Sequence, residues 1–155
     1  MHIFNILKIV TASLTVIVGF GCGIIELKKN ANYWLNRFFS LFFMTSALGF
    51  FFYTLYHMIL SNANLVIPVM ITAQVAFQLA MSFLLMTEFV VEFSEKTALS
   101  VKFILIAIVC FLLSSFGYAI WVPEVNMEAY TADPPYVDTE TAPGWFLVVF
   151  GYRIA

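Results

Sequence analysis

Long apolar segments alternate with short polar ones along the chain. Four of these segments hold about 20 residues, the length of a helix that crosses a hydrocarbon core of about 30 Å. They are residues 3–25, 38–60, 65–87 and 103–122. Each is apolar around its whole circumference, as helices surrounded by lipid are, and no short alternating segments indicate strands. We therefore predict an all-α fold, a polytopic transmembrane helix bundle.

Polar residues and prolines mark the ends of these spans. Glu26 closes the first, and the turn-rich tetrapeptide 61–64 follows the second. We place Pro68 in the first turn of the third helix, where a missing N–H is harmless. The pattern allows an exposed extension of this helix to Glu92, and Pro123 stops the fourth.

Residues 123–144 form a polar segment that we expect outside the bilayer. The segment contains no Lys or Arg, and its acidic residues are Glu124, Glu128, Asp133, Asp138 and Glu140. Tyr130 and Tyr136 lie among these acids and prolines. We interpret the segment as a solvated connector, with a ligand-binding loop as the alternative.

A last apolar run, residues 145–155, predicts the start of a fifth helix. At a rise of about 1.5 Å per residue, the run would cover about half of the bilayer. A helix that stopped there would leave backbone carbonyls without hydrogen-bond partners in lipid. We expect the sequence to be a fragment of a longer chain, and the alternative is that a partner supplies the remaining helix.

Basic residues predict the orientation of the helices. They occur in the first and third connections but not in 61–64 or 123–144, and they are Lys28, Lys29, Arg37, Lys96 and Lys102. Because connections rich in Lys and Arg stay in the cytoplasm, we predict a multi-pass protein of the plasma membrane with its N-terminus outside.

Composition agrees with this class and excludes others. The chain is 63% hydrophobic and 10% charged, with a mean hydropathy of +0.97, whereas about a quarter of the residues of a soluble domain are charged. No basic stretch could follow a phosphate backbone, so we expect no nucleic-acid binding. Cys22 and Cys110 lie in apolar runs without the spacing of a metal site or a disulfide scaffold, and we expect them to pack between helices.

Polar side chains inside the spans are the candidate functional residues. Gln74 and Gln78 are four apart and share a helix face. We expect hydrogen bonds across helices, each worth about 1 kcal/mol, with a ligand or ion path as the alternative. Lys8 is expected to extend its amine to the headgroups. Arg153 would lie about 12 Å past Trp145, so either the fifth helix begins later or Arg153 faces a polar interior.

Two histidines and two glycines complete the candidates. His57 could meet His2 near the outer ends of the first two spans, but no carboxylate or cysteine joins them, and we predict no metal or haem site. Gly19 and Gly23 form a G-x-x-x-G pattern that permits close helix approach. The chain has no phosphate-binding glycine loop, nucleophile elbow or H-E-x-x-H motif. We therefore predict no catalytic residues, no cofactor and no enzymatic activity of this chain.

Several segments together match a known arrangement. They are a basic first inner connection (28–37), a very short outer turn (61–64), an acidic and aromatic end of the third helix (86–93) and an aromatic opening of the fifth (144–152). In these features the chain resembles the N-terminal seven-helix membrane domain found in front of many microbial sensor histidine kinases. The resemblance covers the whole chain and depends on pattern, not on an invariant motif.

The resemblance implies the input half of a receptor. Two further helices and a cytoplasmic signalling module would follow Ala155, and the phosphorylated histidine would lie in that module, so neither His2 nor His57 corresponds to it. A stimulus at the outer segment or within the bundle would shift helix packing. The expected surroundings are the lipid bilayer and either further copies of the chain or partner helices.

Two other interpretations stay open at this point. In a small transporter, a channel or an accessory subunit of a membrane complex, Gln74, Gln78 and Arg153 would be pathway or interface residues. In a membrane enzyme or redox subunit, the histidines would carry the chemistry.

Overall fold

The computed structural model describes residues 3–59 and 61–140, without the side chain of residue 119. His2, Arg153 and the predicted fifth span, 145–155, lie outside these residues. The helices are α1 (Ile3–Lys29), α2 (Trp34–Met58), α3 (Ala63–Phe93), α4 (Glu95–Ala98), α5 (Val101–Ile120) and α6 (Met127–Thr131). Two short strands, β1 (Glu124–Val125) and β2 (Thr139–Glu140), flank α6.

The predicted all-α transmembrane bundle is confirmed. Within the described residues, four helices (α1, α2, α3 and α5) are long and apolar enough to cross a membrane. All four extend beyond the predicted runs at one end or both, for example α1 to Lys29, whereas α2 and α5 end two residues before the predicted ends. The runs were delimited by apolar residues, but a helix satisfies its own backbone hydrogen bonds and therefore continues into polar residues at the membrane surface.

The start of α3 differs from the prediction. The helix begins at Ala63, and the side chain of Asn62 caps it by accepting a hydrogen bond from the Asn64 amide at 3.1 Å. Asn residues favour this position because their side-chain oxygen satisfies a free amide at a helix start. Pro68 consequently lies in the second turn of α3, not in the first.

The spanning helices pack in chain order and alternate in direction. α2 packs along both α1 and α3, and α5 packs against α3. Ring contacts show the antiparallel pairing: Phe50 meets Phe77 between α2 and α3 with 4.9 Å between ring centroids, and Phe89 meets Phe103 between α3 and α5 at 4.7 Å.

Glycines bring α1 and α2 close together, as the G-x-x-x-G pattern predicted. A Cβ atom at Gly19 would lie 2.9 Å from the Ala47 Cβ, and one at Gly23 would lie 3.1 Å from the Ser40 carbonyl oxygen. The Ser40 hydroxyl donates a hydrogen bond of 2.7 Å to the Gly23 carbonyl oxygen. The two helix backbones can approach this closely only because no side chain intervenes.

The two ends of the bundle differ in character. At the capped end, α1 and α3 begin, α2 and α5 end, and residues 124–140 form the cap segment. In this segment β1 and β2 pair antiparallel, with Glu124 opposite Glu140. The opposite, basic end carries five basic residues, which lie at the helix ends and in the connection between α3 and α5: Lys28, Lys29, Arg37, Lys96 and Lys102.

The cap segment packs onto the helix ends. Val137 is fully buried in a cluster with Tyr56 of α2 and with Val66 and Met70 of α3. The Tyr130 hydroxyl donates a hydrogen bond of 3.2 Å to the Ile59 carbonyl oxygen. The solvated connector predicted for 123–144 is therefore not what its described part forms, because the few apolar side chains among the acids of 124–140 face the bundle together.

Candidate functional site

A buried polar pair links α1 and α2 near the capped end. Asn5 is 1% exposed and His57 is 2% exposed. The Asn5 side-chain amide donates a hydrogen bond of 2.8 Å to the His57 carbonyl oxygen. The Asn5 Oδ1 atom is buried and has no partner among the described residues, so one acceptor of this pair stays available.

The His57 ring is held between two tyrosine rings. The ring centroids of Tyr53 and Tyr56 lie 4.3 Å and 4.2 Å from that of His57. The His57 Nδ1 atom lies 3.0 Å from the Tyr53 carbonyl oxygen. Because a carbonyl only accepts hydrogen bonds, this contact requires a proton on Nδ1. His57 is thus an interior residue with a defined orientation.

Sequence reasoning selected His57 but missed Asn5. Asn5 could have been selected as an amide side chain in the first turn of an apolar helix, because a polar group there needs a partner in the bundle. The partner itself, 52 residues away in sequence, becomes visible only when the helices are packed. Among the described residues, no three His, Cys, Asp or Glu side chains come together as metal ligands do.

Gln78 is the most deeply buried polar side chain of α3. It is 0% exposed, and neither its Nε2 nor its Oε1 atom has a hydrogen-bond partner among the described residues. Leaving such a group unsatisfied costs about 1–3 kcal/mol. Gln74, one turn earlier on the same helix face, is partly exposed. The cross-helix hydrogen bond that we predicted for Gln78 is thus not formed within the described part of the chain.

Serines of α5 lie within one helical turn of the level of Gln78. The antiparallel pairing runs from Phe89 with Phe103 at the basic end to Ile71 with Tyr118 at the capped end. By interpolation it sets Gln78 opposite about residue 112, within one helical turn of Ser114 and Ser115. The Ser114 hydroxyl donates to the Phe111 carbonyl oxygen at 2.9 Å, whereas the buried Ser115 hydroxyl has no partner among the described residues. We call Gln78, Ser114 and Ser115 the polar layer.

An apolar cavity adjoins the polar layer on the side of the basic end. It has a volume of about 290 Å³ and lies between α2, α3 and α5, with Phe38, Met86 and Ile104 among its lining residues. Ser82 also lines it, and its hydroxyl donates a hydrogen bond of 3.1 Å to the Gln78 carbonyl oxygen. The cavity could hold an apolar group, and the described residues that line it include no charged side chain.

The structure does not gather the predicted residues into one site. His57 lies at the capped end and Gln78 lies several turns further along the bundle, each in a separate polar environment. Lys8 is partly exposed and lines a groove between α1 and α2. Arg153, the remaining candidate, lies outside the described residues.

The arrangement defines a class of protein. Four apolar helices, joined by short polar connections and closed at one end by a folded polar segment, make the chain a multi-pass helical membrane protein. Comparison with family models, with curated proteins and with solved structures finds no match to this chain.

Proposed function

We propose that the chain is the sensory input domain of a plasma-membrane receptor, with the capped end outside the cell and the basic end in the cytoplasm. The observation that carries the proposal is the packing of the cap segment on the transmembrane helices. Val137 and Tyr130 contact the ends of α2 and α3 directly. A ligand or a physical stimulus that displaces the cap segment therefore acts on helix packing.

α3 provides a continuous path from the cap segment to the opposite side of the membrane. It contains 31 residues without interruption, from Ala63 to Phe93. Its length of about 46 Å exceeds the hydrocarbon core of about 30 Å. A change in the packing of Val66 or Met70 against Val137 can thus alter the position of the other end. Such a shift between two packing states is how membrane-embedded inputs bias attached modules.

Two further features support the proposal. The basic residues of the connections all lie at the basic end, and the acidic cap segment contains no Lys or Arg, as the rule for cytoplasmic connections requires. The resemblance to the membrane domain of sensor histidine kinases implies the same orientation and role.

The gene itself gives the most direct test. We expect the reading frame to continue past the codon for Ala155 into two more apolar spans and a phosphotransfer module. A stop codon at that point would overturn the proposed attachment to an output module.

Labelling tests the orientation separately. Met127 and Lys96 are both exposed, the first in the cap segment and the second at the basic end. A membrane-impermeant thiol reagent should label Met127→Cys in intact cells. It should label Lys96→Cys only after the cells are permeabilised. Both variants are made in a chain with Cys22→Ala and Cys110→Ala. The reverse pattern would contradict the orientation.

Transmission along the bundle is tested by distance measurement. Spin labels at Leu27→Cys and Val91→Cys, both exposed near the basic end, report the separation of α1 and α3 by pulsed electron resonance. Val137→Asp, which introduces a charge into the buried cluster, should shift this distance distribution. Glu128→Gln, an exposed change in the same segment, should leave it unaltered. An unaltered distribution in Val137→Asp would contradict the proposed coupling.

A second candidate function is a transporter or an accessory subunit of a membrane complex. The specific observation in its favour is the Gln78 amide, which has no hydrogen-bond partner among the described residues and which a substrate, an ion or a partner helix would satisfy. Vesicles containing the chain should then show solute flux that Gln78→Leu abolishes, or the chain should purify with a stoichiometric partner that this substitution releases.

A further inference from the structure

A groove runs along the outside of α1 and α2. Its part nearer the capped end has a volume of about 380 Å³ and includes Lys8 in its wall. The adjoining part has a volume of about 440 Å³ and reaches Gly19 and Ala47. Thr11 and Phe50 line both parts, so the two form one continuous depression, which we call the α1–α2 groove.

Lys8 is the charged residue of this groove. It is partly exposed, and it makes no hydrogen bond or ion pair with any described residue. The other Lys and Arg side chains of the described residues lie at the basic end. An ammonium group within a membrane span is costly unless it reaches the headgroups or meets an anion. The part of the groove nearer the capped end of the bundle therefore carries a positive charge that no described residue neutralises.

The rest of the groove suits a hydrocarbon chain. Beyond Lys8 its walls are mainly apolar, with Leu14, Val18 and Phe42 among them. From Lys8 to Gly19 the helix rises about 16 Å. The half-thickness of the hydrocarbon core is about 15 Å. The positive charge and the apolar trough are thus spaced like the headgroup and the acyl chain of a lipid in one leaflet.

We propose that the α1–α2 groove binds one anionic phospholipid, with its phosphate at Lys8 and one acyl chain extending toward Gly19. The proposal does not rest on the proposed sensory function, because no described residue of the cap segment lines the groove, although Phe50 and Tyr53 of its wall also pack toward α3.

A second copy of the chain fits the groove less well. A twofold interface brings the same surface of both copies together, so each Lys8 would face residues of the same groove. Among the residues that the structure describes, no acidic side chain lines either part of the groove. Both charges would then be buried without a counterion, which is strongly unfavourable. A phosphate headgroup supplies the missing charge.

Native mass spectrometry tests the headgroup contact. The 155-residue chain is reconstituted in vesicles of equal parts phosphatidylglycerol and phosphatidylcholine and then released in mild detergent. The unmodified chain should retain phosphatidylglycerol over phosphatidylcholine by roughly fivefold, the factor that one lysine supplies toward anionic lipid. Lys8→Gln should bring the ratio close to one, and Lys8→Arg should restore it. Lys28→Gln, at an exposed site of the basic end, serves as the matched control and should keep the original ratio.

A second variant tests the position of the acyl chain. Thr11 is exposed where the two parts of the groove meet, so Thr11→Trp fills the groove without entering the core. This variant should lose one retained lipid, whatever its headgroup. The proposal is overturned if Lys8→Gln keeps the phosphatidylglycerol preference or if Thr11→Trp retains the same number of lipids. It is also overturned if the unmodified chain is a dimer without bound lipid.

Discussion

The contact between α1 and α2 at Gly19 gives a prediction whose magnitude follows from the structure. In Gly19→Ala the new Cβ would lie 2.9 Å from the Ala47 Cβ and 3.3 Å from the Phe43 carbonyl oxygen. Two carbon atoms prefer a separation of about 3.5–4.0 Å. Neither neighbour is the end of a flexible side chain, so the helices themselves must separate by about 0.6 Å or more.

A second glycine of the same helix isolates this cost. No atom lies within 4 Å of the position that a Cβ at Gly21 would take. Both Gly19→Ala and Gly21→Ala gain the same helix propensity, about 1 kcal/mol. Overpacking typically costs about 1–3 kcal/mol, and only Gly19→Ala incurs it. The difference in the free energy of unfolding between the two variants should therefore be about 1–3 kcal/mol, with Gly21→Ala the more stable.

The assay is unfolding of the chain in mixed micelles by titration with sodium dodecyl sulfate, followed by tryptophan fluorescence. Gly23→Ala should fall between the two variants, because its closest neighbour, at 2.8 Å, is the Met44 side chain, which can move. If Gly19→Ala and Gly21→Ala unfold within about 0.5 kcal/mol of each other, the two helices do not approach as closely at Gly19 as the structure indicates.

Three further substitutions should alter stability in different directions in the same assay. Asn5→Leu removes the hydrogen bond to the His57 carbonyl oxygen and should cost about 1–3 kcal/mol; an unchanged stability would contradict that contact. Gln78→Leu removes an amide without partners among the described residues and should stabilise the chain by about 1 kcal/mol or more, whereas a loss of stability would indicate that the amide is hydrogen-bonded. Tyr130→Phe removes the hydrogen bond to the Ile59 carbonyl oxygen and should cost about 1 kcal/mol. It should also speed proteolysis of the cap segment, and equal proteolysis rates would refute the role of this bond.

The helices could be predicted from the sequence because their cause is local. A run of about 20 apolar residues specifies a spanning helix whatever surrounds it, and all four predicted runs form helices that are long and apolar enough to cross a membrane. The close approach at Gly19 and Gly23 was also predictable, because the absence of a side chain is itself a sequence property. The predicted positions of the helix ends were less accurate, because hydrophobicity does not determine where backbone hydrogen bonding stops.

The candidate site depended on contacts between distant residues. Gln78 and His57 were recognised from the sequence as polar residues within apolar spans. Their environments arise from how α2, α3 and α5 pack: the Gln78 amide has no partner among the described residues, and the His57 ring lies between two tyrosine rings. Asn5 was missed for the same reason, since its partner lies on another helix.

The cap segment shows most clearly what only the tertiary structure decided. Its acidic residues and prolines are as numerous as its apolar residues, and it contains no Lys or Arg, so composition favoured a solvated connector. Val137 nevertheless lies fully buried against Tyr56 and Val66. By itself, the sequence determined that the chain crosses the membrane with helices, because lipid requires each span to satisfy its own hydrogen bonds. The folding of 124–140 onto the capped end was decided by tertiary structure, because burial of a few separated side chains depends on a surface that exists only after the helices have packed.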